Sequence, residues 1–254
     1  MPPRHALTLA LSFPALLFAA CSDRPEALRP EAPPEPVIET AAPLPPAPKP
    51  EVPEAPHVEE LATEGAFVVR GGRGPGHAVL LGGQCAQPQG YAEAIKHAAA
   101  RRGHLVALRG DKACAGEYRG WAFDLAALSA RIDRTFRALG LGEPTDVLLI
   151  GYSQGASVAE MLAAREPERF TRLVLIAKPS DPEPWRFRKI KAVVTMAGTR
   201  DDQARMQRAS RTLAAAGVKA RYFPLPGATH GEMGDDPEGT FEAVMDWLHA
   251  PSGS

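Results

Sequence analysis

The sequence predicts an α/β domain in which helices cover both faces of a doubly wound, mostly parallel sheet. Between about residues 58 and 250, short aliphatic runs alternate with amphipathic stretches. Most runs are apolar throughout, which is typical of central strands buried on both faces. In such a sheet, ligands bind at the carboxyl ends of the strands. The predicted strands are Phe67–Arg70, Ala78–Leu81, Leu105–Leu108, Val147–Ile150, Leu173–Ile176, Ala192–Met196 and Ala220–Phe223.

The helical stretches between these strands show the apolar spacing of surface helices. Apolar residues recur at steps of three and four in two of them, at Leu125, Leu128, Ile132, Phe136 and Leu139, and at Phe241, Val244, Met245 and Leu248. Pro167 and Gly217 stand where two further helices are expected to stop. We therefore predict one α/β domain at residues 58–250, followed by a short tail at 251–254.

Residues 1–57 are predicted to be a signal and a tether. Arg4 supplies positive charge, an apolar stretch follows, and small residues precede Cys21. The apolar core is shorter than the roughly 20 residues that a spanning helix needs, so residues 1–21 read as an export signal; a buried helix of the domain is the alternative. Residues 22–57 hold twelve of the 26 prolines and few large apolar groups, which favours an extended, disordered tether.

Residues 18–21, Phe-Ala-Ala-Cys, resemble the lipobox of bacterial lipoproteins, in which the cysteine is lipidated and becomes the first residue of the mature protein. The resemblance implies that Cys21 anchors the chain to a membrane of the bacterial cell envelope, and Ser22 resembles the outer-membrane sorting pattern. Each buried methylene of an acyl chain contributes about 0.8 kcal/mol, so several chains hold a protein at a bilayer without a spanning helix. Ordinary cleavage and release of a periplasmic or secreted protein is the alternative.

The overall composition excludes several classes of protein. The 29 Lys and Arg residues nearly balance the 30 Asp and Glu residues, for a formal net charge of −1, so the basic surplus of a nucleic-acid binder is missing. Three cysteines are too few for a disulfide scaffold and form no paired CxxC metal motif. The HExxH, P-loop and Rossmann glycine motifs are absent. We therefore expect no metal, no cofactor and no nucleic-acid partner.

The strongest motif is Gly-Tyr-Ser-Gln-Gly at residues 151–155, directly after the strand Val147–Ile150 and at the start of a predicted helix. GxSxG alone is common, but its position between strand and helix makes it specific. A sharp strand-to-helix turn needs small residues around a serine held in a strained conformation. The turn lifts the hydroxyl clear of the sheet and points the helix amino terminus at the reacting oxygen. Ser153 is therefore the candidate nucleophile.

A serine nucleophile needs a base, and the base needs a carboxylate to orient it. Of the seven histidines, only His230 lies in a glycine-rich loop after the last predicted strand, where it can fold back over Ser153. Two adjacent aspartates, Asp201 and Asp202, follow the strand Ala192–Met196. We favour Asp201 as the orienting acid and Asp202 as the cap of the next helix, with exchanged roles as the alternative.

An acyl-transfer site also needs N–H donors for the developing oxyanion. The backbone N–H of Gln154, directly after the nucleophile, is the first candidate. The second is the N–H of Gln84 in the turn Gly82–Cys85, because glycines let the backbone approach a substrate closely. A plain strand-exit turn uses glycines in the same way, and that reading stays open.

The order of strand, GxSxG and helix, then Gly-Thr-Arg-Asp at 198–201 and a late histidine, resembles the α/β-hydrolase superfamily. The resemblance covers most of residues 67–249. It implies a catalytic triad of Ser153, Asp201 and His230, with Gln84 and Gln154 as oxyanion donors. Gly82 departs from the histidine that many members carry before the oxyanion glycine, which weakens any assignment to a subfamily but leaves the triad intact.

Only residues 177–191 separate the strand after the nucleophile helix from the strand before the triad acid, too few for a lid domain. The chain therefore looks like a compact, lidless esterase of the dienelactone-hydrolase or small carboxylesterase kind. Tyr152, Trp185 and Trp121 are predicted to line the acyl pocket, with ordinary packing as the alternative.

In the hydrolase topology, Cys85 and Cys114 follow neighbouring strands and lie at the same edge of the sheet. An oxidising compartment permits a disulfide between them, with two free thiols as the alternative.

These expectations combine into an envelope-tethered serine esterase that cleaves a small-molecule carboxylic ester through an acyl-enzyme intermediate. Peptidases and thioesterases use the same apparatus, so the bond that is cleaved stays open. The alternative from another class is a catalytically inactive lipoprotein that keeps the fold for binding.

Overall fold

The computed structural model describes residues 55–72 and 76–251. The predicted signal at 1–21 with the lipidation candidate Cys21, and nearly all of the predicted tether, lie outside the described residues. The same is true of the predicted tail after Pro251. The described secondary structure extends from Val58 to His249.

The described part of the chain contains ten strands: β1 (Val58–Leu61), β2 (Ala66–Val69), β3 (Ala78–Leu81), β4 (Leu105–Leu108), β5 (Lys112–Ala113), β6 (Arg119–Gly120), β7 (Val147–Tyr152), β8 (Phe170–Ile176), β9 (Ala192–Gly198) and β10 (Ala220–Leu225). Eight of them form one sheet in the order β1-β2-β4-β3-β7-β8-β9-β10, and β5 pairs with β6 in a separate hairpin. The pairs β1–β2 and β2–β4 are antiparallel, and the rest of the main sheet is parallel. The mostly parallel sheet is therefore confirmed.

Helices pack on both faces of this sheet, and the described α-helices are α1 (Pro88–Ala94), α2 (Lys96–Arg102), α3 (Leu125–Ala138), α4 (Gln154–Arg165), α5 (Gln203–Ala215) and α6 (Pro237–His249). Apolar residues of α1, α2 and α6 belong to the core on one face, and those of α3, α4 and α5 to the core on the other. This is the doubly wound arrangement. None of these helices has the length and apolar character needed to cross a bilayer.

The central strands read as continuous apolar runs because both of their faces are buried. In β7, Leu148 and Ile150 belong to one core, whereas Val147 and Leu149 belong to the other. None of the four is more than 2% exposed. Burying a side chain of this size contributes about 1.5–3 kcal/mol, so the two cores stabilise the sheet from both sides.

All seven predicted strands are present, but β1 and the hairpin β5–β6 were not predicted. β1 has Glu59 and Glu60 in its centre, which it tolerates because it lies at the edge of the sheet and pairs only with β2. β5 and β6 have two residues each, too few for any hydrophobic period to be visible. The strand predicted from Leu173 begins at Phe170 instead.

The connection between β8 and β9 contains no lid, as predicted from its length. Its regular structure is limited to a 3-10 helix at Pro184–Phe187, whose Phe187 is buried. This connection therefore places no separate domain over the carboxyl ends of the strands.

A pair of histidines lies at the opposite end of the sheet, where β3 and β4 begin. His77 Nδ1 accepts a hydrogen bond from the backbone N–H of His104 at 3.2 Å. Burial lowers the pKa of both imidazoles below 6.5. For His104, the charges of His77 and Arg70 lower the pKa further, whereas Glu59 raises it. Folding therefore favours the neutral form of both side chains.

We expect the free energy of unfolding to fall more steeply from about pH 7.5 to about pH 5 in the wild type than in a His77→Asn variant. The unfolded chain takes up protons near pH 6.5 that the folded chain resists, so stability is lost as the pH falls. The asparagine amide oxygen can replace Nδ1 as the acceptor and does not titrate. Urea denaturation of both proteins at the two pH values measures the difference, and parallel pH dependence would contradict the prediction.

Candidate active site

Ser153 lies at the turn between β7 and α4, with a backbone conformation of φ 51° and ψ −115°. The two flanking glycines make this turn possible. A Cβ atom on Gly151 would lie 2.5 Å from Ala156 Cα, and one on Gly155 would lie 2.1 Å from the carbonyl oxygen of Leu81. The GxSxG spacing is thus a packing requirement, because α4 begins directly against the ends of β7 and β3.

The structure brings together the three side chains predicted as a triad. His230 Nε2 lies 3.1 Å from Ser153 Oγ, and His230 Nδ1 lies 2.9 Å from Asp201 Oδ2. Both distances are in the range of hydrogen bonds. The Asp201 side chain is 17% exposed and the imidazole 54% exposed. The carboxylate is therefore sheltered, while the imidazole and the hydroxyl face the surface.

Of the two neighbouring aspartates, Asp202 has the structural position. Its Oδ1 accepts the N–H of Arg205 at 3.1 Å and so caps α5. Its N–H donates to Asp201 Oδ1 at 2.7 Å, which occupies the carboxylate oxygen that does not contact His230. Of the two arrangements left open by the sequence, the structure has the one with Asp201 beside the imidazole.

The loops after β9 and β10 are joined to each other by hydrogen bonds. The N–H of Gly227 donates to Thr199 Oγ1 at 2.8 Å, and the N–H of Arg200 donates to the carbonyl oxygen of Ala228 at 3.0 Å. A Cβ atom on Gly198 would lie 2.2 Å from that same carbonyl oxygen, so glycine is needed for the approach. These contacts fix the loop that carries the carboxylate relative to the loop that carries the imidazole.

Gln84 and Gln154, whose backbone N–H groups are the predicted oxyanion donors, both lie close to Ser153. Gln154 is the first residue of α4, so its N–H has no acceptor inside the helix. Gln84 lines the same cavity as Ser153 and follows Gly83, where a Cβ atom would lie 3.4 Å from Ser153 Cβ. Within residues 55–72 and 76–251, neither N–H donates to a protein acceptor. Two such donors beside a nucleophile are able to bind an oxyanion.

The predicted disulfide between Cys85 and Cys114 is present, with the two Cα atoms 5.7 Å apart. It joins the turn after β3 to the loop of the hairpin β5–β6. The same turn is held a second time by a hydrogen bond from the N–H of Ala86 to the carbonyl oxygen of Arg119, at 3.2 Å. The hairpin that the sequence does not predict is therefore the support of the candidate oxyanion turn.

The prediction that Trp121 walls the acyl pocket is wrong. Its side chain is 3% exposed and packs in the core on the face of α3 and α4. The indole N–H donates to the carbonyl oxygen of Gly82 at 2.8 Å, and the backbone N–H donates to Gln154 Oε1 at 3.0 Å. Trp121 thus connects the turn after β3 with the first residue of α4. These are the two segments that carry the candidate oxyanion donors.

Two cavities flank Ser153, and both include His230. The larger, of about 350 Å³, has no Asp, Glu, Lys or Arg side chain in its walls, which are formed in addition by Gly83, Gln84, Cys85, Ala86, Tyr91, Tyr152 and Gly231. The smaller, of about 160 Å³, has charged walls that include Lys178, Asp201, Asp202 and Arg205. Of the three predicted pocket aromatics, only Tyr152 lines a cavity beside Ser153.

Trp185 is also wrong as a pocket residue. It is 59% exposed and lines a separate cavity of about 380 Å³ with Arg165 and Arg188, at the far end of α4. A helix of 12 residues is about 18 Å long, and Ser153 precedes its first residue. The connection after β8 therefore runs down along α4 instead of staying at the carboxyl edge of the sheet.

Tyr91 in α1 lines the larger cavity at Ser153, although no sequence pattern predicts it as a site residue. Its ring stacks on that of Tyr152 with 5.3 Å between centroids and 11° between planes. Burial raises the pKa of Tyr91, and it raises the pKa of Tyr152 to about 12, so both hydroxyls stay protonated at neutral pH. No motif marks Tyr91, because only the folding of α1 over the sheet brings it here.

Among the described residues, no three His, Cys, Asp or Glu side chains are grouped to hold a metal ion.

The sheet order, the strand–turn–helix around Ser153 and the late histidine loop together make this an α/β-hydrolase fold without a lid. Similar solved structures include esterase PE8, with 20% identity and a TM-score of 0.54 over 71% of this chain and 97% of that one. Dienelactone hydrolase from Anabaena variabilis has 15% identity and a TM-score of 0.52 over 76% and 97%. Est1E from Butyrivibrio proteoclasticus, with ferulic acid bound, has 14% identity and a TM-score of 0.54 over 73% and 95%. No protein-family profile and no curated protein matches the chain.

We expect the double variant Cys85→Ala/Cys114→Ala to lose about 2–4 kcal/mol of unfolding free energy, because the disulfide restricts the unfolded chain across a separation of 29 residues. Urea denaturation with and without dithiothreitol measures the loss. Reductant should lower the stability of the wild type to that of the variant and leave the variant unchanged. If the reductant reduces both cysteines, as measured by thiol counting, and the stability of the wild type is nevertheless unchanged, the prediction is contradicted.

Proposed function

We propose that this protein is a serine hydrolase that cleaves carboxylic esters through an acyl-enzyme intermediate. The observation that carries the proposal is the chain of two contacts from Asp201 to His230 at 2.9 Å and from His230 to Ser153 at 3.1 Å. Serine is a weak nucleophile at its ordinary pKa, and an oriented imidazole is what activates it.

In the acylation step, Ser153 Oγ attacks the ester carbonyl carbon while His230 Nε2 accepts the hydroxyl proton. The carbonyl oxygen becomes an oxyanion that the N–H groups of Gln84 and Gln154 stabilise; one such donor is typically worth about 10²–10³ in rate. The bond to the alcohol oxygen then breaks, and His230 donates its proton to that oxygen. Water repeats the sequence on the acyl-enzyme, which releases the carboxylic acid and restores the serine. Asp201 stabilises the imidazolium in both steps.

Three features support an ester as the substrate. The connection between β8 and β9 forms no lid over the site, so water reaches the acyl-enzyme beside an imidazole that is 54% exposed. The larger cavity is lined by no Asp, Glu, Lys or Arg side chain and suits an uncharged group of a small molecule. Esterase PE8 and the ferulic-acid-bound Est1E have the same fold. A panel of p-nitrophenyl esters, thioesters and peptide anilides of equal acyl length would separate the ester from the other bonds.

We expect Asp201→Asn to lower kcat for a short p-nitrophenyl ester by about 10⁴-fold, because asparagine favours the wrong tautomer of His230. Asp202→Asn is the matched control. Asparagine caps a helix as well as aspartate does, so this variant should keep its activity and the helix α5. Steady-state kinetics measures both, with circular dichroism to verify folding.

Ser153→Ala measures the rate of ester hydrolysis that does not depend on the serine hydroxyl. This variant should lose both enzymatic hydrolysis and labelling by a fluorophosphonate probe. Full ester hydrolysis in Ser153→Ala would overturn the mechanism. A wild type that neither hydrolyses the panel nor takes up the probe would support a binding module that keeps the fold.

We also propose that the enzyme is tethered at the bacterial cell envelope through a lipid on Cys21. The support is the lipobox-like sequence at residues 18–21 and the proline-rich stretch that follows it. We expect the full chain expressed in a bacterial host to partition into the detergent phase of Triton X-114. Cys21→Ser should move it to the aqueous phase if lipidation is the anchor, and a wild type found only in the aqueous phase would favour a released protein.

A further inference from the structure

Tyr152 is the last residue of β7 and directly precedes the candidate nucleophile. Its side chain is 2% exposed, and its hydroxyl reaches the loop after β10. The hydroxyl accepts a hydrogen bond from the N–H of Gly231 at 2.8 Å and donates one to the carbonyl oxygen of Glu232 at 3.2 Å. One oxygen atom therefore binds a backbone donor and a backbone acceptor on the two residues that follow His230.

We propose that Tyr152 is a positioning residue that holds His230 over Ser153 through these two hydrogen bonds. The role rests on the proposed hydrolase function, because it belongs to the same reaction. It differs from the pocket-wall role that the sequence predicts for this side chain: Tyr152 acts on the general base through the loop backbone.

The segment 229–232 has few other attachments. Ala228 before it and Met233 after it are 0% and 8% exposed, so both ends are anchored in the core. Among the described residues, the other hydrogen bonds of the segment are either made by the imidazole itself or join Thr229 to Glu232. Bonds inside the segment fix its shape but not its position. The tyrosine hydroxyl is what ties its backbone to the sheet between the two buried ends.

The Tyr152 ring is held between two other aromatic side chains. It stacks on Tyr91 at 5.3 Å and meets the imidazole of His230 in a T-shaped contact, with 5.8 Å between centroids and 88° between planes. Because burial raises the pKa of Tyr152 to about 12, the hydroxyl keeps the proton that it donates to Glu232. Tyr152→Phe would keep both ring contacts and lose only the two hydrogen bonds to the loop.

The matched control is Tyr222→Phe. The Tyr222 hydroxyl is also hydrogen-bonded, to Gln203 Oε1 at 3.1 Å, but Tyr222 lines neither cavity at Ser153.

We expect kcat for a p-nitrophenyl ester to fall about 10- to 100-fold in Tyr152→Phe, because a shift of about 1 Å in a catalytic group has an effect of that order. KM should change by less than about threefold, since the hydroxyl takes no part in uniform substrate binding. Tyr222→Phe should keep the wild-type kcat.

Hydrogen exchange at the Gly231 amide, followed by NMR, gives a readout that does not depend on hydrolysis. We expect this amide to be protected in the wild type and in Tyr222→Phe, and to exchange at least about tenfold faster in Tyr152→Phe. A Gly231 amide that is unprotected in the wild type would overturn the proposal without any need for the variant to fold.

An unchanged kcat in Tyr152→Phe would also overturn the proposal, and so would a lower kcat with unchanged Gly231 exchange, because the loss would then not arise in the loop. A wild type that hydrolyses no ester would instead remove the proposed function. In that case, the exchange rates would still decide whether the Tyr152 hydroxyl holds the loop.

Discussion

At the first turn of α4, the helix backbone touches the ends of β3 and β7, and only glycine fits at the two points of contact. Because Gly151 and Gly155 have no Cβ atom, the chain reverses from strand to helix at one residue, and Ser153 takes the φ of 51° that the reversal requires. A non-glycine residue in such a conformation costs on the order of 1–3 kcal/mol. The N–H of Ser153 donates to the carbonyl oxygen of Ile176 at 2.8 Å, so the buried neighbouring strand holds the strained residue in place.

The strand order sets the distance that the histidine loop must cross. Ser153 follows β7 and His230 follows β10, which lies three strand spacings away in the sheet. At about 4.8 Å per spacing, the loop has to return about 14 Å along the carboxyl edge. Gly227 and Gly231 have φ values of 73° and 96° in this loop, which suit a path that bends back on itself. The contacts to the loop after β9 hold it near the middle of its path, and the tyrosine hydroxyl holds it near its end.

The parts that the sequence predicts are those with a local signature. Burial on both faces makes central strands apolar throughout, and the steric rule behind GxSxG makes Ser153 visible without a structure. The choice between Asp201 and Asp202 stayed open because both follow the same strand, and only the cap of α5 separates them in space. The predictions for Trp121 and Trp185 are wrong for a related reason. Whether an indole lines a pocket depends on the path of its segment, and both residues lie in segments too short to show a hydrophobic period, directly after the two-residue strand β6 and in a 3-10 helix of four residues.

A buried ion pair holds the connection between β8 and β9 against α4. Lys178 Nζ lies 2.9 Å from Glu160 Oε2, with side chains 4% and 2% exposed, and the ammonium also donates to the hydroxyl and carbonyl of Ser180. The other carboxylate oxygen of Glu160 accepts the N–H of Glu183. Removing one partner of such a pair leaves an uncompensated buried charge, at a cost of about 3–5 kcal/mol. Glu160 follows Ser153 by about two turns of α4, and Lys178 lines the smaller cavity, so the helix that begins directly after Ser153 also fixes one wall of that cavity through this ion pair.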